Sequence, residues 1–207
     1  MKNSVLIGFW LLVAGCVSLT SCTKNDTNTI VLIGTEYYID DINSMVPDTL
    51  QAQFFANFGT ITSGAIPPKI EGSYRINPRQ RIANNIGLPV PANELPAYLR
   101  FSDQHNGVVT IDFNDATETF TDTVFVQGKG QDFVVYFVEE KKIEDFSEPA
   151  MMKRAVLMKG RVTDAGLADF RYATIVLEKE DDLDQLAALG SYFIYKDSDG
   201  NAERFDW

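Results

Sequence analysis

The stretch that decides the fold is residues 98–114, which run Tyr-Leu-Arg-Phe-Ser-Asp-Gln-His-Asn-Gly-Val-Val-Thr-Ile-Asp-Phe-Asn. Its centre contains Asn106 and Gly107, a pair that favours a two-residue hairpin turn because both residues tolerate a positive φ. After the turn, residues 108–114 alternate between apolar and polar side chains, which is typical of a strand with one buried face. The stretch therefore predicts two antiparallel strands, 98–102 and 108–114, joined by a tight turn.

The same two-residue period recurs on both sides of this hairpin. It predicts further strands at residues 69–76, 118–127, 133–138, 155–163, 171–179, 191–195 and 203–207. Residues 133–138 are apolar at every position, so we expect both faces of that strand to be covered. In the strand at 171–179 we expect Ala173 to face the interior of the fold.

Two helices and one long loop are predicted between the strands. Residues 47–58 place Leu50, Phe54, Phe55 and Phe58 on one helical stripe, and residues 181–189 predict a short amphipathic helix. Residues 77–97 contain four prolines among several asparagines and predict a long loop, which in a compact domain is often functional.

These elements predict an all-β fold in which an antiparallel meander of about eight strands closes into a barrel. One N-terminal helix and one short C-terminal helix accompany the sheet. Closure is expected because it removes the exposed edge strands of such a sheet. A β-sandwich, which limits the edges instead, is the alternative.

Four parts of the chain carry a resemblance to a known family: Ile66-Pro67-Pro68-Lys69-Ile70-Glu71-Gly72-Ser73-Tyr74, residues 101–107, residues 160–163 with 166–170, and residues 195–200. These segments resemble those of lipocalin-like, calycin-type lipoproteins of the Bacteroides group. The resemblance implies a calycin-type barrel with an enclosed cavity, and it implies no particular activity or ligand. Gly72-Ser73-Tyr74 is the nearest match to the Gly-x-Trp signature of the lipocalins.

The first 21 residues have the layout of an export signal. Lys2 precedes an uncharged apolar run that is shorter than the roughly 20 residues of a membrane span. The run ends in Leu19-Thr20-Ser21-Cys22, which resembles the bacterial lipoprotein box and predicts acylation of Cys22; Cys16 ends a rival box. We therefore expect a signal peptide at 1–21, a polar tether at 22–29, one domain at 30–207, and an outer-membrane lipoprotein that faces the periplasm or the cell surface.

Charge and cysteine content exclude several classes of protein. Without Lys2 the mature chain has 17 basic and 29 acidic residues, a net charge of 17 − 29 = −12. That balance argues against nucleic acid as a partner and against binding of anionic lipid by a cluster of basic residues. No cysteine follows Cys22, so the domain contains no disulfide, cysteine metal site or cysteine nucleophile.

Two segments contain candidate chemical sites. His105, the only histidine, stands in a predicted hairpin turn and has no second histidine or cysteine for a metal site. Asp197, Asp199, Asn201 and Glu203 place oxygen ligands at alternate positions around Gly200, as a calcium loop does. A tight turn between two paired strands explains the same pattern, and it is the favoured interpretation.

Two further patterns occur in acidic segments. The acidic pairs Glu139-Glu140 and Asp181-Asp182 are predicted to lie on solvated faces. Asp48-Thr49-Leu50 and Asp122-Thr123-Val124 resemble short O-glycosylation sites of the Bacteroides group, so Thr49 and Thr123 are candidate glycosylation sites. No cofactor is predicted.

The sequence predicts a membrane-anchored envelope lipoprotein that is not an enzyme. Its partners are expected to be the lipid membrane, through acylated Cys22, and a small apolar or amphiphilic ligand bound inside the barrel. The alternative is a structural or assembly subunit of an envelope complex, and a hydrolase is disfavoured. A hollow barrel favours the first function, whereas a filled barrel with an exposed aromatic patch favours the second.

Overall fold

A computed structural model describes residues 45–143, 150–181 and 185–207. The described residues contain one helix, α1 (Asp48–Phe58), and eleven strand segments. The segments are β1 (Gly72–Ile76), β2 (Arg79–Asn84), β3 (Ala92–Glu94), β4 (Ala97–His105), β5 (Val108–Asn114), β6 (Thr119–Lys129), β7 (Asp132–Ile143), β8 (Ala150–Val162), β9 (Gly166–Glu180), β10 (Tyr192–Asp197) and β11 (Asn201–Arg204).

The eleven segments form eight long antiparallel strands that close into a ring. β1 and β2 run in line along one partner strand made of β3 and β4, because Ile76 pairs with Ala97 and Arg79 pairs with Glu94 in one register. β10 and β11 likewise run in line along β9. The order is β1–β2, β3–β4, β5, β6, β7, β8, β9 and β10–β11, and pairing of the last strand with the first closes the ring.

The prediction of an all-β, antiparallel meander of about eight strands is therefore confirmed. The β4–β5 hairpin is also as predicted: Asn106 and Gly107 have φ values of 47° and 76° and connect the two strands. No helix among the described residues is long and apolar enough to cross a membrane.

Three neighbouring strands are interrupted at the same level of the ring. The breaks fall at residues 77–78, 95–96 and 198–200, between the in-line segments. The buried carboxylate of Asp197 bridges two of them, since it accepts hydrogen bonds from the backbone N–H of Asn77 at 2.7 Å and of Asp199 at 3.1 Å. Ser198 N–H also donates to the Pro78 carbonyl at 3.1 Å.

The interior of the ring is a hydrophobic core. Its buried side chains come from every strand of the ring, and all are at most 4% exposed. They are Ile70, Tyr74, Ile76, Ala97, Leu99, Phe101, Val109, Ile111, Phe113, Val124, Val126, Phe133, Val135, Phe137, Val156, Met158, Leu167, Phe170, Tyr172 and Ala202.

A second hydrophobic core lies outside the ring, under helix α1. Phe54 and Phe58 pack on the outer side chains of β7 to β10, including Val134 and Tyr136. Residues 133–138 are thus covered on both faces, as their composition predicts. Ala173 also belongs to this outer cluster, so the expectation that it faces the interior is wrong; Tyr172 occupies the inward position instead.

Three other local predictions are wrong. Residues 77–97 are not one long loop, because β2 pairs with β10 and β3 pairs with β2, which leaves only 85–91 as a loop. The described residues of 181–189 are not helical; Asp181 instead accepts a hydrogen bond from the N–H of Leu186 at 2.5 Å. The segments β10 and β11 do not form a hairpin, since both pair with the same strand and run in one direction.

Candidate functional site

Aromatic side chains fill the middle of the ring. Phe113 stacks on Phe120 with centroids 5.1 Å apart and lies 5.5 Å from Tyr172, while Phe120 lies 5.6 Å from Phe137. Phe101 makes an edge contact with Phe133 at 6.4 Å. An interior packed in this way leaves little room for a ligand, because protein cores are close-packed once large side chains meet.

One end of the ring is covered by the segment that leads into β1. Ile70 is fully buried against the interior. The side chain of Gln104 holds this segment, because its oxygen accepts from Ile70 N–H and its amide donates to the Pro68 carbonyl, both at 2.8 Å.

Ion pairs cover the opposite end of the ring, at the β5–β6 turn. Arg79 is 6% exposed and pairs with Asp115 in that turn and with Glu94 at 3.2 Å. Arg81 pairs with the other oxygen of Glu94 at 3.2 Å. Asp115 also accepts hydrogen bonds from the backbone and hydroxyl of Thr117.

A second group of ion pairs continues this cluster. Arg154 on β8 contacts Glu118 and Glu139, each at 2.6 Å, and Lys141 contacts Glu118 at 3.0 Å. Burial opposes the charge of Arg154, yet the neighbouring carboxylates leave its pKa raised. The end cluster contains Arg79, Arg81, Lys141 and Arg154 with Glu94, Asp115, Glu118 and Glu139, so its charges balance without a bound ion.

Two tyrosines connect the end cluster to the aromatic interior. Tyr172 and Tyr195 stack with centroids 5.4 Å apart, and Arg79 lies over the ring of Tyr195 at 5.0 Å. Burial raises the pKa of Tyr195 to about 12 and raises the pKa of Tyr172 further. Both phenols are therefore neutral at physiological pH, and their rings pack between the end cluster and the interior.

The β2–β3 loop presents apolar side chains to solvent. Ile86, Leu88 and Val90 are 40–46% exposed, and residues 85–91 are all on the surface. Asn84 holds the loop, because its side-chain oxygen accepts from the N–H groups of Ile86 and Leu88, and its amide donates to the Leu88 carbonyl. This rigid display of apolar groups is a candidate contact surface.

A second candidate surface lies on the outer face of β4. Tyr98 contacts Phe205 at 5.4 Å, Phe205 contacts Trp207 at 5.9 Å, and Arg100 lies over the Trp207 ring at 5.2 Å. Trp207 is 50% exposed. We call Tyr98, Arg100, Phe205 and Trp207 the aromatic patch.

The candidate calcium ligands have other partners. Asp197 is buried and bridges two strand breaks, and Glu203 pairs with Arg75 at 2.9 Å. Asp199 is exposed and accepts a hydrogen bond from Asn201 N–H. Nowhere in the described ranges do three or more His, Cys, Asp or Glu side chains form a group that suits a metal ion. Burial raises the pKa of Asp197, with the nearby Asp199 adding to the effect.

The other predicted positions are placed as follows. His105 is exposed at the end of β4, and its Nδ1 lies 2.6 Å from the Asp103 carbonyl oxygen. Glu140 is exposed as predicted, whereas Glu139 is only partly exposed because it pairs with Arg154. The Asp181 side chain is 1% exposed, and Asp182 is outside the described residues.

The structure describes the two candidate glycosylation sites but not the two candidate lipidation sites. Thr49 in the first turn of α1 and Thr123 on β6 are both exposed. Their glycosylation stays a prediction. Cys16 and Cys22 lie outside the described residues, as do the predicted signal peptide and tether.

No protein-family model matches the chain, and comparisons with curated proteins and with solved structures also gave no match. The resemblance to lipocalin-like lipoproteins therefore stays a prediction, and function has to be argued from the geometry.

The end cluster and the aromatic patch were not predicted from the sequence. The cluster joins residues from five segments that are far apart in the chain. The aromatic patch had a partial signal, because Phe205 and Trp207 alternate at the end of an apolar–polar strand pattern. The β2–β3 loop was predicted only as part of a longer loop, residues 77–97.

Proposed function

We propose that this protein is a membrane-anchored envelope lipoprotein, not an enzyme, which acts as a structural or assembly subunit through the outside of its ring. The observation that carries the proposal is the interior filled with aromatic side chains. Binding of a small ligand inside the barrel stays a prediction. Because the interior is packed with side chains, ligand binding is the second candidate function.

The exposed aromatic patch supports a role in assembly. Tyrosine, tryptophan and arginine are enriched at the energetic centres of protein interfaces, because they bury large areas and retain polar contacts. The patch combines these three residue types on the outer face of β4. The ring beneath it is held at both ends, which provides a rigid support.

Membrane anchoring is tested by fractionation of cells that express the full chain. Cys22→Ala should move the protein from the membrane fraction to the soluble fraction, whereas Cys16→Ala should leave it bound. The opposite result would assign the lipid to Cys16, and no change in either variant would contradict anchoring by a lipid.

Assembly is tested by size-exclusion chromatography of detergent-extracted protein. The wild type should elute in a large species, and the double variant Phe205→Ala/Trp207→Ala should elute as the free lipoprotein. Ile66→Ala is the matched control, because Ile66 is 83% exposed in a different loop. A wild type that elutes as a monomer would contradict the assembly function.

The internal-ligand candidate is tested with an environment-sensitive apolar dye. A filled ring should show no saturable binding. Saturable binding that is lost in Val109→Phe would favour an internal ligand, because Val109 is fully buried in the interior. Ala173→Phe is unsuitable for this test, since Ala173 lies outside the ring.

A further inference from the structure

The β2–β3 loop belongs to an uncharged part of the chain. Residues 82–93 contain no charged side chain, although 23% of the chain is charged and the mature protein has a large negative charge. Ile86, Leu88 and Val90 project from this segment into solvent. An acidic domain can approach an anionic or zwitterionic lipid surface with least repulsion at such a segment.

The loop is fixed to the body of the domain and does not fold back over it. The Asn85 amide donates to the Gly190 carbonyl, and its oxygen accepts from Tyr192 N–H, both at 2.9 Å. The adjacent Leu189 is 61% exposed and adds to the apolar area. Because the backbone is already held, contact with a partner would cost little conformational entropy.

The chain enters the domain beside this loop. A surface depression is lined by Pro47, Thr49 and Leu50 from the start of α1, together with Asn85, Leu189 and Gly190. Residues 23–44, a segment of 22 residues, lie between the described domain and the proposed lipid anchor at Cys22. The N-terminal end of the described domain, at Pro47, therefore lies on the side where the apolar loop projects.

We propose that the β2–β3 loop, with Ile86, Leu88 and Val90 at its surface and Leu189 beside it, inserts into the surface of the lipid bilayer and orients the domain on the membrane. This inference rests on the proposed function, because it uses the anchor at Cys22 to bring the loop to the bilayer. The contact is apolar, so it should withstand high salt.

The test uses the full-length lipoprotein in vesicles of phosphatidylcholine. The mature chain would have no free thiol, because Cys16 is removed with the signal and the Cys22 sulfur is acylated. Leu88→Cys therefore introduces a single site for an NBD fluorophore. Lys129→Cys is the matched control, an exposed site at the last residue of β6, at the other end of strands β7 to β9.

At position 88 we expect a blue-shifted, several-fold brighter emission in vesicles, quenched by brominated acyl chains and unchanged at high salt. At position 129 the NBD emission in vesicles should equal the emission of the same labelled protein measured without vesicles and without detergent. Replacing Ile86 and Val90 by Ser in the labelled protein should abolish the change at position 88, whereas Ile66→Ser should not. Equal emission and quenching at the two sites would overturn the proposal.

Two further outcomes separate this inference from others. A blue shift at position 88 without lipid quenching, together with a protein dimer in cross-linking, would assign the loop to a second copy and would also overturn the proposal. Thiol labelling of the unsubstituted wild type would show that Cys22 is not acylated. In that case Leu88→Cys is combined with Cys22→Ala to restore a single labelling site, and the measurement with added vesicles decides the loop contact separately from the anchor.

Discussion

At the scale of single residues, buried polar groups decide where a substitution most reduces the stability of the protein. Arg79 and Asp115 hold the β5–β6 turn over one end of the ring, and the Asp115 side chain is only 3% exposed. Removing one partner of a buried pair costs about 3 kcal/mol, because it leaves the other charge uncompensated. The residual pairing of Arg79 with Glu94 reduces that cost.

Asp115→Asn should destabilise the protein at neutral pH by about 2 to 3 kcal/mol, measured by urea unfolding. Although burial works in the opposite direction, hydrogen bonds from Thr117 and Arg79 hold the pKa of Asp115 below its usual range. The folded state therefore binds the proton less tightly than the unfolded chain. The stability from this carboxylate is present above the unfolded pKa of about 4 and is lost as the pH falls through the lower folded pKa.

The pH dependence provides the control for this prediction. Between pH 6 and pH 3, wild-type stability should fall more than that of Asp115→Asn. The exposed Asp164 in the β8–β9 turn is the matched position, and Asp164→Asn should keep the wild-type slope. Parallel slopes for wild type and Asp115→Asn would contradict the assignment.

A second residue-scale prediction concerns two tyrosines in the cluster under α1. The Tyr192 hydroxyl is buried and has no hydrogen-bond partner among the described residues, whereas the Tyr136 hydroxyl accepts from Gln127 at 2.9 Å. Tyr192→Phe should be neutral or stabilise by up to about 1 kcal/mol, because it removes an unpaired buried polar group. Tyr136→Phe should destabilise by about 1 kcal/mol. Equal effects on the urea midpoint would contradict this difference.

At the scale of elements, helix α1 depends on the sheet. Its last turn contains no basic residue, yet Arg171 on β9 donates to the Asn57 carbonyl and Lys159 on β8 donates to the Thr60 carbonyl at 2.7 Å. These two cations face the negative end of the helix dipole. Burial, and then the charge of Arg171, lowers the pKa of Lys159.

Arg171→Met should therefore destabilise the helix end by about 1 to 2 kcal/mol and raise the pKa of Lys159. NMR titration of the Lys159 side chain and hydrogen exchange at residues 54–60 would measure both effects. Arg161→Met is the control, because Arg161 forms an exposed ion pair with Asp132 that contributes little. Unchanged exchange in Arg171→Met would contradict anchoring of the helix by this contact.

At the scale of the whole molecule, the ring depends on the pairing of β9 with β11. Gly166 lies in that pairing with φ of 151°, and a Cβ atom there would meet the Ala202 carbonyl oxygen at 2.1 Å. A side chain at residue 166 would force the β11 backbone to shift, so the pairing of β9 with β11 depends on glycine at this position.

Gly166→Ala should destabilise the protein by about 2 to 3 kcal/mol, as overpacking adds to backbone strain. Gly130→Ala is the matched control, because Gly130 has φ of 66° but an added Cβ atom would meet nothing within 4 Å. It should cost only about 1 kcal/mol, from backbone strain alone. Similar denaturation midpoints for the two variants would contradict a steric requirement at the closure.

The amino-acid sequence by itself determined the features that depend on neighbouring residues. Asn106-Gly107 specified the β4–β5 hairpin through its tolerance of positive φ. The uniformly apolar residues 133–138 predicted a strand covered on both faces, and the stripe of Leu50, Phe54, Phe55 and Phe58 predicted the helix that covers one of them. Each of these signals is local, because the period of the side chains reports which face is buried.

Only the tertiary structure decided the features that depend on which strands lie side by side. Residues 79–84 lack a strong apolar alternation and became a strand because β10 supplied hydrogen-bond partners. Glu139 became partly buried because Arg154 faces it across the β7–β8 pair. The filled interior was decided in the same way, since the space inside a ring of eight strands depends on which inward side chains meet at each level.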